Sequence, residues 1–213
     1  MNVYFISGLG ADRQAFQRIQ LDSKHHIFHI DWLVPKKKES LSEYALRMAE
    51  SIDKKQAFAL IGLSFGGIMA IEINKLFPAK KIILVSSVSS FQELPWYFKL
   101  AGKLQIHRLG FSSLIKKKKA FLHYLFGVHT PNMKAYLNEM IDKTDSYYLT
   151  WSLHTILNWK NEYKPLDTIH IHGNKDLLFP IRYINADVII ENGSHFMIMT
   201  HASKISKHIN DAL

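Results

Sequence analysis

The sequence Gly62-Leu63-Ser64-Phe65-Gly66-Gly67 follows a run of strand-forming residues, 57–61, and opens a helical pattern over residues 66–77 that Pro78 stops. A serine held between a strand and a helix in a G-x-S-x-G pattern predicts a sharp turn that exposes its hydroxyl at the sheet edge. Such a turn needs unusual backbone angles and close approach of neighbouring chain. Gly62 and Gly66, on either side of Ser64, give that room because they carry no Cβ. A helix starting at this point also aims backbone N–H groups and a partial positive field at negative charge developing on a bound molecule. The competing reading is a glycine-rich turn with a surface serine; the strand before and the helix after favour a nucleophile.

Alternation of strands and helices continues outward. Residues 3–7 are apolar and end in the turn Gly8-Leu9-Gly10, and residues 26–30 form a second strand pattern closing at Asp31. Leu41, Ala45, Met48, Ala49 and Ile52 follow a helical period, with Ser42 and Glu43 near its start and Lys54 and Lys55 at its end, an order that complements the helix dipole. Ile82-Ile83-Leu84-Val85 reads as a buried strand, strand character returns at residues 168–172 and 187–190, and an amphipathic helix covers residues 202–212. Strands separated by helices mean β–α–β units and a parallel sheet. Residues 91–164 differ: helical, aromatic and basic, with Pro95 and Pro131 as breakers. The expected organisation is a core of residues 1–90 and 165–213 with residues 91–164 inserted as a helical lid.

A serine hydroxyl attacks poorly unless a base takes its proton, so one of the twelve histidines is needed. His25, His26 and His29 gather at a strand start without the carboxylates a metal site needs. His170 and His172 alternate along a strand, where packing or hydrogen bonding accounts for them. His195 lies in Asn192-Gly193-Ser194-His195-Phe196, directly after the final strand, where a loop can bring it over the C-terminal edge of the sheet. Asp176, in His172-Gly173-Asn174-Lys175-Asp176, sits just past the preceding strand and is the expected carboxylate for orienting that histidine; Glu93 is the alternative. The order Ser64, Asp176, His195 matches one hydrolase class and neither protease order. Two N–H donors for an oxyanion are expected from Phe65, after the nucleophile, and Leu9, in the first turn.

These residues together resemble the α/β-hydrolase superfamily, and the resemblance runs over nearly the whole chain. It rests on the turn Ser7-Gly8-Leu9-Gly10, the stretch from Gly62 to Gly67, the acid loop from Gly173 to Asp176 with Pro180 following, and Gly193-Ser194-His195. The resemblance implies a central, mostly parallel sheet with flanking helices and a helical cap inserted after the strand ending near Ser86. It implies hydrolysis of esters, thioesters, amides or related bonds without a cofactor. Ser7-Gly8 replaces the family's frequent His-Gly. The chain opens at what would be the family's third strand, so about six strands are expected in place of eight. Only ten residues separate Asp176 from Asp187, room for at most a short helix.

Composition narrows the function classes. The chain has 213 residues, no cysteine, and 27 Lys+Arg against 18 Asp+Glu, a net charge of +9. Absence of cysteine removes disulfides, thiolate catalysis and Cys-ligated metals. No apolar run reaches the roughly 18 residues of a spanning helix, and no charged segment leads into a signal-like apolar one, so a cytoplasmic, soluble protein is expected. Residues 91–164 hold eleven basic and five acidic side chains, including the block from Lys116 to Lys119. A solvated basic face explains such a run most simply, and peripheral contact with anionic membrane is the main functional alternative. Nucleic acid is not expected, because no recognition motif accompanies the charge. Trp96, Tyr97, Phe98, Phe121, Tyr124, Phe126, Trp151 and Trp159 suggest a small-molecule substrate with an apolar acyl or aromatic group, or else simply the lid's own core. No cofactor or metal is expected, and oligomeric state is not readable. The leading expectation is a serine esterase or thioesterase working through an acyl-enzyme on Ser64. The alternatives are a non-catalytic ligand-binding protein of the same fold, C–C bond hydrolysis, and acyl transfer.

Overall fold

Alternation along the strands sends side chains into two apolar clusters. In a computed structural model, which describes residues 1–105 and 117–213, Tyr4 and Ile6 of β1 (Asn2–Ile6) join one cluster, and Val3 and Phe5 join the other. Lys116 lies outside the described residues. Strands β3 (Phe58–Leu63) and β4 (Lys81–Val85) divide in the same way: Leu60, Ile82 and Leu84 to the first cluster, Ala59, Ile61, Ile83 and Val85 to the second. Strands buried on both faces need helices on both faces. Helices α1 (Leu41–Met48) and α2 (Phe65–Leu76) pack into the first cluster. The C-terminal helix, Ala202–Ala212, sets Ile205 and Ile209 into the second.

With β2 (His26–Ile30), β5 (Thr168–Gly173) and β6 (Val188–Ile190), these strands form one six-stranded sheet in the order β2-β1-β3-β4-β5-β6, every pair parallel. The expected six-stranded α/β architecture is therefore what the chain adopts. Strand order reverses between β1 and β3. At such a switch point in an open parallel sheet the connections leave in opposite directions, and a crevice opens beyond the carboxyl ends of the strands. The turn at residues 7–10 leaves β1 there, and Ser64 leaves β3 there.

Between β4 and β5 the described chain is helical: α3 (Trp96–Lys103), α4 (Lys119–Phe126), α5 (Pro131–Lys143) and α6 (Ser146–Asn158). Thr130 caps α5 with Pro131 in its first turn, and Asp145 caps α6, so the two breaks in this block have local causes. After β6 come the single turn α7 (Met197–Thr200) and α8, the C-terminal helix Ala202–Ala212. Helix α1 starts one residue after Ser40, which forms a capping box with Glu43, and its expected continuation to residue 52 is a single 3-10 turn, Ala49–Ser51.

The segment after β2 is tied down by one buried phenol. Tyr44 of α1 donates to the Leu33 carbonyl at 2.8 Å and accepts from the Leu33 N–H at 3.0 Å, and burial pushes its pKa up to about 12. Replacing Tyr44 with Phe leaves both Leu33 groups without this partner. We expect Tyr44→Phe to cost about 1–3 kcal/mol in urea unfolding, more than an exposed Tyr→Phe change such as that at Tyr147.

Candidate active site

Ser64 sits in a backbone conformation that few residues with a side chain adopt, φ 52° and ψ −119°. The neighbouring glycines explain how the chain tolerates it. A Cβ on Gly66 would collide with the carbonyl oxygens of Ile6 and Ser7, at the end of β1 and just beyond it. One on Gly62 would run into the backbone of Gly66 and Gly67. The elbow is then clamped. Ser64 N–H donates to Val85 O at 2.9 Å, while Ser64 O accepts from Gly67 N–H at 2.9 Å and from the Ser87 hydroxyl at 2.7 Å. Strain of this kind costs on the order of 1–3 kcal/mol and survives only where surrounding bonds over-determine it.

The three residues expected from the sequence meet in space. His195 Nε2 lies 3.0 Å from Ser64 Oγ, and His195 Nδ1 lies 2.7 Å from Asp176 Oδ2. Asp176 and His195 are buried, whereas Ser64 is half-buried. The second carboxylate oxygen of Asp176 accepts the N–H groups of Leu178 and Phe179, each at 2.8 Å. An ionised carboxylate accepts only, so the Nδ1 proton points to Asp176 and leaves Nε2 free to accept the serine O–H. Phe126 and Phe179 pack edge-on against the imidazole, with centroids at 5.0 and 5.5 Å. Glu93, the alternative acid, is engaged elsewhere: it accepts the N–H groups of Ser89 and Asn185, and the nearest histidine it meets is His170, at 3.9 Å.

The turn at residues 7–10 lies beside the serine, since a Cβ on Gly8 would be 3.5 Å from that of Ser64. Leu9 N–H enters no backbone bond among the described residues, and Phe65 N–H belongs to the first turn of α2, where amides lack intrahelical partners. Both are thus available beside Ser64. Trp32 holds this turn: its indole N–H donates to Ser7 Oγ and Gly8 O, both at 3.0 Å, and its ring stacks on Phe65 at 5.0 Å and 6°. Ser87 and Trp32 escaped sequence reading, because neither belongs to a spaced pattern; the only signal for Trp32 was its place just beyond a strand's carboxyl end.

A cavity of about 830 Å³ opens over Ser64 and His195. Its walls are overwhelmingly aliphatic and aromatic, among them Leu137, Met140, Met199, Phe98, Leu153 and Leu178. Of the aromatics noted in the sequence, Tyr97, Phe98, Phe121 and Phe126 line it. Trp151 packs instead on Tyr44 and Phe65, and Trp159 donates its indole N–H to Glu72. No group of His, Asp and Glu suited to a metal ion occurs among the described residues.

Behind Asp176 lie two more histidines. His172 Nε2 donates to Phe179 O at 2.8 Å and lies 3.4 Å from Asp176 Oδ2; His170 Nε2 donates to Ser87 O at 3.1 Å. They hydrogen-bond as the sequence suggested, but onto the two loops that carry the site. Burial, reinforced by His172, depresses the His170 pKa to about 3, and burial likewise lowers that of His172. An imidazole neutral in the folded state but protonated in the unfolded chain contributes stability that is full above pH about 6.5 and is lost as pH falls from there towards the folded value. We therefore expect unfolding free energy to fall below pH 6.5 by up to about 1.4 kcal/mol per pH unit for His170. His170→Gln should flatten that slope, read by urea titration at a series of pH values. Gly66→Ala should cost more than about 3 kcal/mol, measured by thermal unfolding, because backbone must move to admit the methyl group.

No protein-family model matches the sequence, and no curated protein does. Solved structures do. An esterase from Exiguobacterium antarcticum superposes with TM-score 0.76 at 16% identity, covering 99% of this chain and 91% of that one. A hydrolase from Pseudomonas aeruginosa PA01 gives 0.74 at 13% identity, covering 99% and 89%. A bromoperoxidase from Bacillus anthracis gives 0.70 at 16% identity, covering 99% and 91%. Likeness at such identity carries the fold and not the activity, and with the parallel sheet, the elbow and the helical segment after β4 it establishes that this chain has the α/β-hydrolase fold.

Proposed function

We propose that this chain is a serine hydrolase that cleaves carboxylic esters or thioesters through an acyl-enzyme on Ser64. The observation that carries the reading is the relay from Ser64 Oγ through His195 to Asp176, at 3.0 and 2.7 Å, at the floor of an apolar cavity. Nothing in ligand binding alone requires a strained serine, a histidine of defined tautomer and a buried, fully hydrogen-bonded carboxylate in one line.

In this mechanism His195 Nε2 takes the Ser64 proton as Oγ bonds to the carbonyl carbon. The oxyanion forms beside the N–H groups of Leu9 and Phe65, which a helix N-terminus and a braced turn hold ready. Asp176 stabilises the imidazolium without taking its proton. Collapse breaks the bond to the alcohol or thiol, which leaves with the proton from Nε2. Water, deprotonated by the same nitrogen, then attacks the acyl carbon and releases the acid and Ser64. Protonation of His195 before attack removes the base, so activity belongs to the neutral imidazole.

The lining of the cavity favours an apolar acyl group, and the helices between β4 and β5 act as its cap. Esterases among the similar structures agree with ester cleavage as the reaction class. A fluorophosphonate probe should label Ser64 in the wild type, label nothing in Ser64→Ala, and react at least about 1,000-fold more slowly with His195→Ala. Folded wild-type protein that takes no label and hydrolyses no nitrophenyl ester would reject the enzyme and leave the ligand-binding reading. For acyl chains lengthened from acetyl to octanoyl, kcat/KM should rise by up to about fourfold per methylene, the transfer value for full burial. A flat series would reject an apolar acyl site.

A further inference from the structure

Two helices beside the cavity carry apolar side chains that the fold does not use. None of the eight residues of helix α4 is buried: Leu122 and Phe126 pack against the second apolar cluster, whereas Phe121 and Tyr124 stay exposed. In α3 only Gly102 is buried. Trp96 and Leu100 of α3 and Leu104, its C-cap, follow one another at four-residue spacing on one side of the helix, and they are 63%, 46% and 60% exposed. Phe121 and Tyr124, on successive turns of α4, are 57% and 64% exposed. Exposed apolar side chains on each of two helices that line one cavity mark an interaction surface.

Charge identifies the partner. Neither helix contains an acidic residue, while Lys99 and Lys103 lie on α3 and Lys117, Lys118 and Lys119 lead into or begin α4. Lys119 is paired with Asp142 at 2.6 Å, and Lys99 lies over the Phe91 ring at 4.7 Å. Lys103, Lys117 and Lys118 make no ion pair among the described residues. Protein interfaces are depleted of lysine. Tryptophan, tyrosine and leucine interleaved with lysine are what a helix lying in a lipid headgroup region carries, its ring systems at headgroup depth and its ammonium groups on anionic phosphates. No described helix is long and apolar enough to cross a membrane, so contact of this kind is peripheral.

We propose that α3 and α4 form a docking face for anionic membrane. The cavity supports this placement. Tyr97, Lys118 and Phe121 belong to these same helices and their approach, line the cavity that reaches Ser64, and are themselves exposed at its rim. Docking sets that rim against the bilayer, so an apolar molecule passes from lipid to cavity without crossing water.

The test is co-sedimentation with vesicles of phosphatidylcholine containing about 30% phosphatidylserine, in about 50 mM salt, against vesicles of phosphatidylcholine alone. Wild type and Ser64→Ala should bind the anionic vesicles equally, and raising salt to about 0.5 M should weaken binding about tenfold. The double variants Trp96→Ala/Leu100→Ala and Lys99→Gln/Lys103→Gln should each lose about tenfold in partitioning, with unchanged thermal unfolding and unchanged activity on short soluble esters. Absence of binding to anionic vesicles at low salt would overturn the proposal, as would full binding by both double variants. Salt-sensitive binding to polyglutamate without binding to vesicles would overturn it in favour of an acidic protein partner.

Discussion

The close approach of three chain segments at the switch point of the sheet is the constraint on which the rest of this structure depends. Gly66, in the first turn of α2, lies against the carbonyl oxygens that end β1, and Gly62 lies against the backbone of Gly66 and Gly67. No side chain fits in either gap. Because β1, β3 and α2 converge so tightly, Ser64 has to turn the chain in one residue, at φ 52°. That conformation brings the serine hydroxyl to the C-terminal edge of the sheet and leaves the amides of Leu9 and Phe65 beside it. Ser87, Val85 and Trp32 hold the arrangement through hydrogen bonds to the elbow and to the adjoining turn.

Polarity at the site is divided by height. Above Ser64 the cavity offers hydrocarbon almost everywhere. Below it the buried carboxylate is tied down, as burial of a charge demands. Asp176 is held by two backbone N–H groups and by His195, and His172 fixes the Phe179 carbonyl of the same loop. His170 does the equivalent for Ser87, which in turn binds the Ser64 carbonyl. Strand β5, which supplies both histidines, thereby connects the acid loop to the elbow through neutral imidazoles. Neutrality matters here: a protonated His172 beside Asp176 would draw the carboxylate away from His195, and burial opposes that protonation.

Much of this was legible in the sequence because its information is local. A G-x-S-x-G pattern between a strand and a helix states its own geometry, and Asp176 and His195 follow directly on strands whose carboxyl ends face one crevice. The alternation in residues 3–6 and 82–85 gave the two-sided burial that a parallel sheet needs. Other features depend on partners far along the chain and left no periodic trace. Trp32 braces a turn 25 residues earlier, Ser87 clamps a carbonyl 23 residues earlier, and His170 and His172 read as ordinary strand positions until the loops they bind are seen. Pro78 and Pro131 marked helix boundaries, and the amphipathic pattern over residues 202–212 has the bounds of the C-terminal helix, whereas the Ser40–Glu43 cap did not stand out against the charged residues around it. The aromatic residues of the inserted segment could not be sorted by spacing, and the structure divides them among cavity wall, interior packing and exposed surface.

The central claim is that Ser64 carries the acyl group during turnover. Rapid mixing of wild-type protein with a nitrophenyl acyl ester, acid quench and intact-mass measurement tests it directly. The account predicts a burst of nitrophenol approaching one equivalent per chain, with a mass increase equal to the acyl group that maps to the peptide containing Ser64. Steady hydrolysis with no burst, no adduct, and undiminished rate in Ser64→Ala would contradict it.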